Sequence, residues 1–132
     1  ADMFTKRSVL EKVGYLDEDI FMYGEETLFE WKVKKAGYEI FSVYDAKMCH
    51  LEGASSKGSK KTSEFKDKNS LYGHGIYFLK AFSKEEQIKY YKLKLKQYKE
   101  RRILLFFNKE QRNKYTRKIQ YVKEFLEGEP NS

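Results

Sequence analysis

The sequence predicts an α+β chain in two unequal parts: a head of short helices and few strands, then a long, mainly helical tail. Three observations carry this reading. Charge is divided, since residues 1–55 hold seven Lys/Arg and eleven Asp/Glu whereas residues 56–132 hold twenty and nine; such asymmetry suggests two jobs, or one site plus one interaction surface. The head mixes helical spacing with the β-rich alternation of Tyr38 to Val43. The tail repeats apolar residues at helical spacing behind two cap signals, Ser83-Lys-Glu-Glu86 and Asn108-Lys-Glu-Gln111. The expected organisation is a head over 1–56, a small, polar and basic loop over 57–62, and a helical extension over 63–132.

Arg7 to Val13 reads as a short helix, with Thr5 as its N-cap and Gly14 just past its end. Tyr15 to Glu18 turns the chain. A second helix runs from about Glu25 to Lys35, with Leu28, Phe29, Trp31 and Val33 as its apolar positions. It stops at Gly37, where glycine takes the left-handed conformation. Tyr38 to Val43 and Ala46 to Leu51 are strand candidates, the second ending near His50. Ser63 to Phe82 is one helix, weakened by Gly73 and Gly75. In the capping box at 83–86, Ser83 accepts from the Glu86 N–H while the Glu86 side chain reaches back. Two antiparallel amphipathic helices follow. The first, 84–107, aligns Ile88, Tyr91, Leu95 and Tyr98; the second, 109–127, aligns Tyr115, Ile119, Val122 and Leu126 and is ended by Gly128 and Pro130. Their stripes must be covered by each other, by the head or by a second copy.

Composition excludes several classes. Aromatic residues reach 17%, more than a fully disordered chain carries. The longest apolar run, Ile103 to Phe107, is far too short for a membrane span. The single cysteine, Cys49, excludes an internal disulfide and is read as core. No signal-peptide pattern opens the chain, and its start at Ala1 suggests a piece of a longer protein.

The stretch most able to carry chemistry ends in Gly24-Glu25-Glu26, two adjacent carboxylates directly after a glycine at a helix opening. A helix N-terminus stabilises negative charge, so a carboxylate there stays ionised and able to accept a proton, as a general base must. Residue type alone favours plain helix capping, for the same electrostatic reason. His50 follows Glu26 by 24 residues; imidazole is a good ligand for a divalent transition metal, and a lone histidine is also often simply half-buried. Cys49 and His50 alternate in direction along a strand and do not chelate one ion. His74, between Gly73 and Gly75, is either an acceptor-site residue or a plain helix-surface histidine.

The order of these elements carries more than any one of them. The run ADMFTKRSVLEKVGYLDEDIFMYGEETLFEWKVKKAGYEIFSVYDAKMCHLEGASS resembles, from about Met3 to Ser56, the C-terminal half of the catalytic domain of family 2 glycosyltransferases, in their rhamnosyltransferase-like branch. The resemblance implies part of a GT-A fold, and inverting transfer of a sugar from a nucleotide-sugar to a glycan or lipid-linked acceptor. It implies Glu26 as the general base, with Glu25 in the acceptor site. It implies that His50 helps hold a divalent cation, Mn or Mg, at the donor diphosphate of the full-length enzyme, with no cofactor expected in this piece alone. Asp17 and Glu18 match an Asp-Glu pair of mainly architectural role. Tyr23 and Trp31 fall on acceptor-site or structural positions. Lys57, Lys60 and Lys61 lie in the loop after the histidine, as a clamp over the diphosphate or as a solvated basic loop. The chain departs from the family pattern in having Leu28 for an Asp, Lys32 for an Arg, Tyr44 for a Pro, and Glu26 for the commoner Asp. The nucleotide-binding sheet and its Asp-x-Asp motif are expected in a missing N-terminal half of the same chain, and the piece is expected to be inactive alone.

The basic tail suggests partners of other classes. It can pair with a second copy, forming a homo-oligomer, or lie on a membrane surface, with 103–107 as the apolar patch. Nucleic acid is not expected, because Lys-rich faces also keep long helices soluble. The expected location is cytoplasmic, with the inner face of the membrane as a further possibility.

Overall fold

The computed structural model describes residues 3–47 and 60–128, with side chains at all of these except Lys60 and Lys61. They form five helices: α1 (Arg7–Val13), α2 (Glu25–Lys35), α3 (Lys60–Ala81), α4 (Lys84–Leu104) and α5 (Lys109–Glu127). No strand occurs among the described residues, which corrects the α+β, GT-A-like expectation. Tyr38 to Val43 is irregular, and Phe41, Val43 and Tyr44 are exposed. Alternation selects a strand only when a neighbour takes its backbone hydrogen bonds and a core takes one face; no second segment among the described residues does so. Of the other strand candidate, Ala46 and Lys47 are irregular and exposed, and residues 48–51 lie outside the described set.

The helix boundaries follow local chemistry closely. The N-cap of α1 is Lys6 rather than Thr5, with no side-chain cap. At the end of α2, the Gly37 N–H donates to the Lys34 carbonyl and the Tyr38 N–H to the Val33 carbonyl. With Gly37 at φ +86°, this is a Schellman closure, which needs a left-handed residue. Helix α3 begins at Lys60, three residues before Ser63, so residues 60–62 of the anticipated loop are helical. Ser83 caps α4 by accepting from the Glu86 N–H at 3.3 Å, and Asn108 caps α5 by accepting from the Gln111 N–H at 3.0 Å. The reciprocal arm differs from expectation. Glu86 pairs with Lys89, and it is Glu85 whose carboxyl is held low by a hydrogen bond with Ser83. Helix α4 stops at Leu104, short of 107, because the chain must reverse before extended Asn108 opens α5.

Helices α3, α4 and α5 form an up-down-up bundle. Phe78 of α3 stacks on Tyr90 of α4 at 4.9 Å, and Tyr98 further along α4 meets Tyr115 early in α5 at 6.0 Å. Helices α3 and α5 therefore run parallel, registered by Glu64–Arg117 at 3.2 Å and Asp67–Lys118 at 2.9 Å. The bundle core is Leu71, Tyr91 and Val122, flanked by Leu95, Phe125 and Leu126. A second core joins the head to α3 through Ile20, Leu28, Ile76 and Ala81, with Trp31 and Tyr77 against it. Helix α3 thus contributes to both cores. Burial raises the phenol pKa of Tyr90, Tyr91 and Tyr98 above the ordinary value, as expected for hydroxyls removed from water.

The glycines of α3 are contact sites rather than weak points. A Cβ at Gly73 would stand 1.8 Å from the Tyr23 carbonyl oxygen, and one at Gly75 would stand 1.8 Å from the Tyr91 hydroxyl. The head loop crosses α3 at Gly73, and Tyr91 of α4 fills the notch at Gly75. No helix among the described residues is long and apolar enough to cross a membrane.

Candidate functional site

The acidic pair sits where the head crosses α3. Tyr23 and Gly24 both have positive φ, +68° and +109°. The Gly24 position would bring a Cβ within 2.9 Å of the Gly73 backbone, so both shape and dihedral require glycine there. Gly24 is the N-cap of α2, and its carbonyl accepts from the Leu28 N–H at 3.0 Å. Glu25 and Glu26 fill the first turn, in the favourable field of the helix N-terminus.

Their environments differ. Glu26, expected as the base, is exposed. Glu25 is half-buried, and its Oε2 is sequestered with no hydrogen-bond partner among the described residues. Tyr23 is half-buried, and its carbonyl faces Gly73. Trp31 lies about one and a half turns further along α2. It packs edge-on to Phe82 at 6.3 Å, carries Lys35 over its ring at 4.6 Å, and lines an open depression with Lys12, Lys32 and Ala36. Trp31 is five residues past Glu26, about 7.5 Å along the axis and about 140° around it, so Trp31 and the acidic pair do not share one wall.

Asp17 and Glu18 part company. Glu18 is exposed. Asp17 ties the head loop to two helices, accepting from Lys80 of α3 at 2.6 Å and from Lys32 of α2 at 3.4 Å, while Lys80 also reaches Asp19. The Asp17 carboxylate also accepts from the Asp19 N–H at 3.2 Å, closing an Asx turn. Burial pushes the Asp17 carboxyl up, but the Lys80 hydrogen bond, the Asp19 N–H and the two lysine charges outweigh it, leaving the pKa below the ordinary value. Lys80 is raised by its hydrogen bonds to Asp17 and Asp19, against a smaller opposing effect of burial.

The lowered Asp17 pKa contributes stability above the unfolded carboxylate value, lost as pH falls through the folded one. The raised Lys80 pKa contributes stability below the unfolded amine value, lost as pH rises through the folded one. Asp17→Asn is expected to destabilise the chain by about 1–3 kcal/mol near neutrality, with the gap to wild type closing below the unfolded carboxylate pKa. Thermal melts across that acid range check this; a gap that stays constant would remove Asp17 as the titrating tie.

His50 and Lys57 lie outside the described residues, as does Cys49, and the side chains of Lys60 and Lys61 are likewise not described. The expected meeting of His50 with Glu26 is therefore outside the described geometry. Among the described residues, no group of three or more His, Cys, Asp or Glu side chains could hold a metal ion. His74 is half-buried between α3 and α4, its Nδ1–H donating to the Ser70 carbonyl at 2.6 Å and its ring stacked near Tyr90 at 6.4 Å.

Sequence reasoning missed the Asp17–Lys80 tie and the two glycine contacts. Nothing in spacing pairs residues 63 apart, but two glycines within three positions of a helix are a readable sign of close approach. The chain matches no family model, no curated protein and no solved structure.

Proposed function

We propose that this chain is the acceptor-side portion of an inverting glycosyltransferase whose nucleotide-binding half lies in a preceding segment of the same protein. The observation that carries the reading is the pair Glu25–Glu26 in the first turn of α2, set in the ordered run from Met3 to Ser56 that resembles the family. Glu26 is exposed in the first turn of α2, where a carboxylate lies open to an acceptor hydroxyl and can take its proton. As the acceptor oxygen attacks the anomeric carbon, its proton passes to Glu26. The carbon–oxygen bond to the diphosphate breaks, and the leaving oxygen takes the electron pair. Glu25, half-buried next to it in the same first turn, helps shape the acceptor side. His50, which lies outside the described residues, would help hold a divalent cation, which would supply charge neutralisation for the leaving diphosphate. Work on a glycan or lipid-linked acceptor would place the protein in the cytoplasm, at the inner membrane face.

In the whole protein, Glu26→Gln is expected to lower turnover about a hundredfold to ten-thousandfold, the usual contribution of a general base, with binding of the nucleotide-sugar unchanged. Initial-rate measurements and donor titration check it. Retained turnover removes Glu26 from the role, and a larger loss with Glu25→Gln transfers the role to Glu25.

A further inference from the structure

We propose that the tip of the α4–α5 hairpin docks on an anionic lipid surface. Ile103, Leu104, Phe106 and Phe107 are 67%, 70%, 69% and 75% exposed. They lie beyond the Tyr98–Tyr115 contact at 6.0 Å. Between Lys99 and Asn113 only Leu105 and Gln111 reach even half-burial. Phe106 and Phe107 meet only edge-to-face with each other, at 5.9 Å. Four large apolar side chains concentrated at one end of a bundle form a patch that normally has an occupant.

The charges around the tip select that occupant. Lys99, Arg101, Arg102, Lys109 and Arg112 are all exposed there, against the two carboxylates Glu100 and Glu110. None of the five cations makes an ion pair among the described residues. The cations deeper in α5 do, Arg117 with Glu64 and Lys118 with Asp67. The tip therefore combines an apolar point with a collar of uncompensated positive charge. Lipid phosphates and carboxylates take the collar while the acyl boundary takes Ile103, Leu104, Phe106 and Phe107. A second copy would bring like charges face to face. A nucleic acid offers phosphates but no apolar medium for Ile103 and Leu104. The run is too short to span, so the tip lies in the interface.

The test is flotation of the chain with vesicles of phosphatidylcholine alone and of phosphatidylcholine mixed with phosphatidylserine, at low and high salt. Two variants accompany it, Phe106→Ser/Phe107→Ser and Arg101→Gln/Arg102→Gln. All four positions are exposed, so circular dichroism and melting should match wild type. Wild type is expected to float with the anionic vesicles alone and to be released by salt. Each variant is expected to partition about tenfold more weakly. No flotation, equal flotation with neutral vesicles, or variants that float like wild type would overturn the proposal. So would a dimer in light scattering, or a shifted RNA or DNA band, that is lost in both variants while vesicles bind nothing. The proposal stands on the tip alone, and its failure leaves the transferase reading where it was.

Discussion

Gly73→Ala is expected to destabilise the chain by about 3 kcal/mol, the upper end of what an inserted methyl does in a packed site. The sign of this effect separates two accounts of the same residue. Helix propensity alone favours Ala over Gly by about 1 kcal/mol in a helix interior, so a glycine that merely weakened α3 would give a more stable variant. The tertiary structure gives the opposite sign. The new Cβ would stand 1.8 Å from the Tyr23 carbonyl oxygen, with the Ile20 side chain at 3.0 Å. The obstructing atom is backbone, held in a loop with positive φ at Tyr23 and Gly24, and cannot rotate away as a side-chain tip does. Relief requires the head to lift from α3, opening the core of Ile20, Leu28, Ile76 and Ala81 and moving the acidic pair. Urea unfolding measures the change; an increased midpoint would show that the backbones do not cross so closely.

Tyr91→Ala is expected to be at least as severe, at about 3–5 kcal/mol, the range for truncating a buried aromatic residue. Tyr91 is 3% exposed, packs with Leu71 and Val122, and stacks on Phe125 at 5.5 Å. It joins all three helices of the bundle, so its loss opens a cavity that no single helix can close. Its fit against α3 allows a sharper test. Gly75→Ala alone places a methyl 1.8 Å from the Tyr91 hydroxyl and 2.3 Å from its ring carbon. Tyr91→Phe removes only the first of these, whereas Tyr91→Leu removes both. The pair Gly75→Ala and Tyr91→Leu is expected to show a favourable coupling of about 1–3 kcal/mol in a double-mutant cycle, and Gly75→Ala with Tyr91→Phe much less. Additive losses would mean that the ring does not rest in the Gly75 notch.

Both experiments bear on the proposed chemistry. The transferase reading depends on Glu25 and Glu26 being carried at a fixed angle on the first turn of α2, and that angle is set by the Gly24–Gly73 crossing and by Asp17 bridging to Lys32 and Lys80. A variant that loosens the crossing while leaving the bundle folded should disturb the acidic pair before it disturbs Tyr91.

The sequence by itself determined the helices, the Ser83 and Asn108 caps and which faces are apolar, because these depend on residues within a turn of one another; the expected Thr5 cap and Glu86 reach-back did not form. Ser83, Asn108, Gly37 and Gly128 act through bonds and dihedrals spanning a few positions, and the Ile119–Val122 face follows from the helical period alone. Only the tertiary structure decided whether Tyr38 to Val43 pairs as a strand, what Gly73 and Gly75 are for, and how differently Glu25 and Glu26 are exposed. Each of those depends on which segment lies alongside, and proximity between distant residues leaves no period in the chain. A β-rich alternation states a preference that needs a neighbour to act on, and a glycine in a helix states only that something could come close.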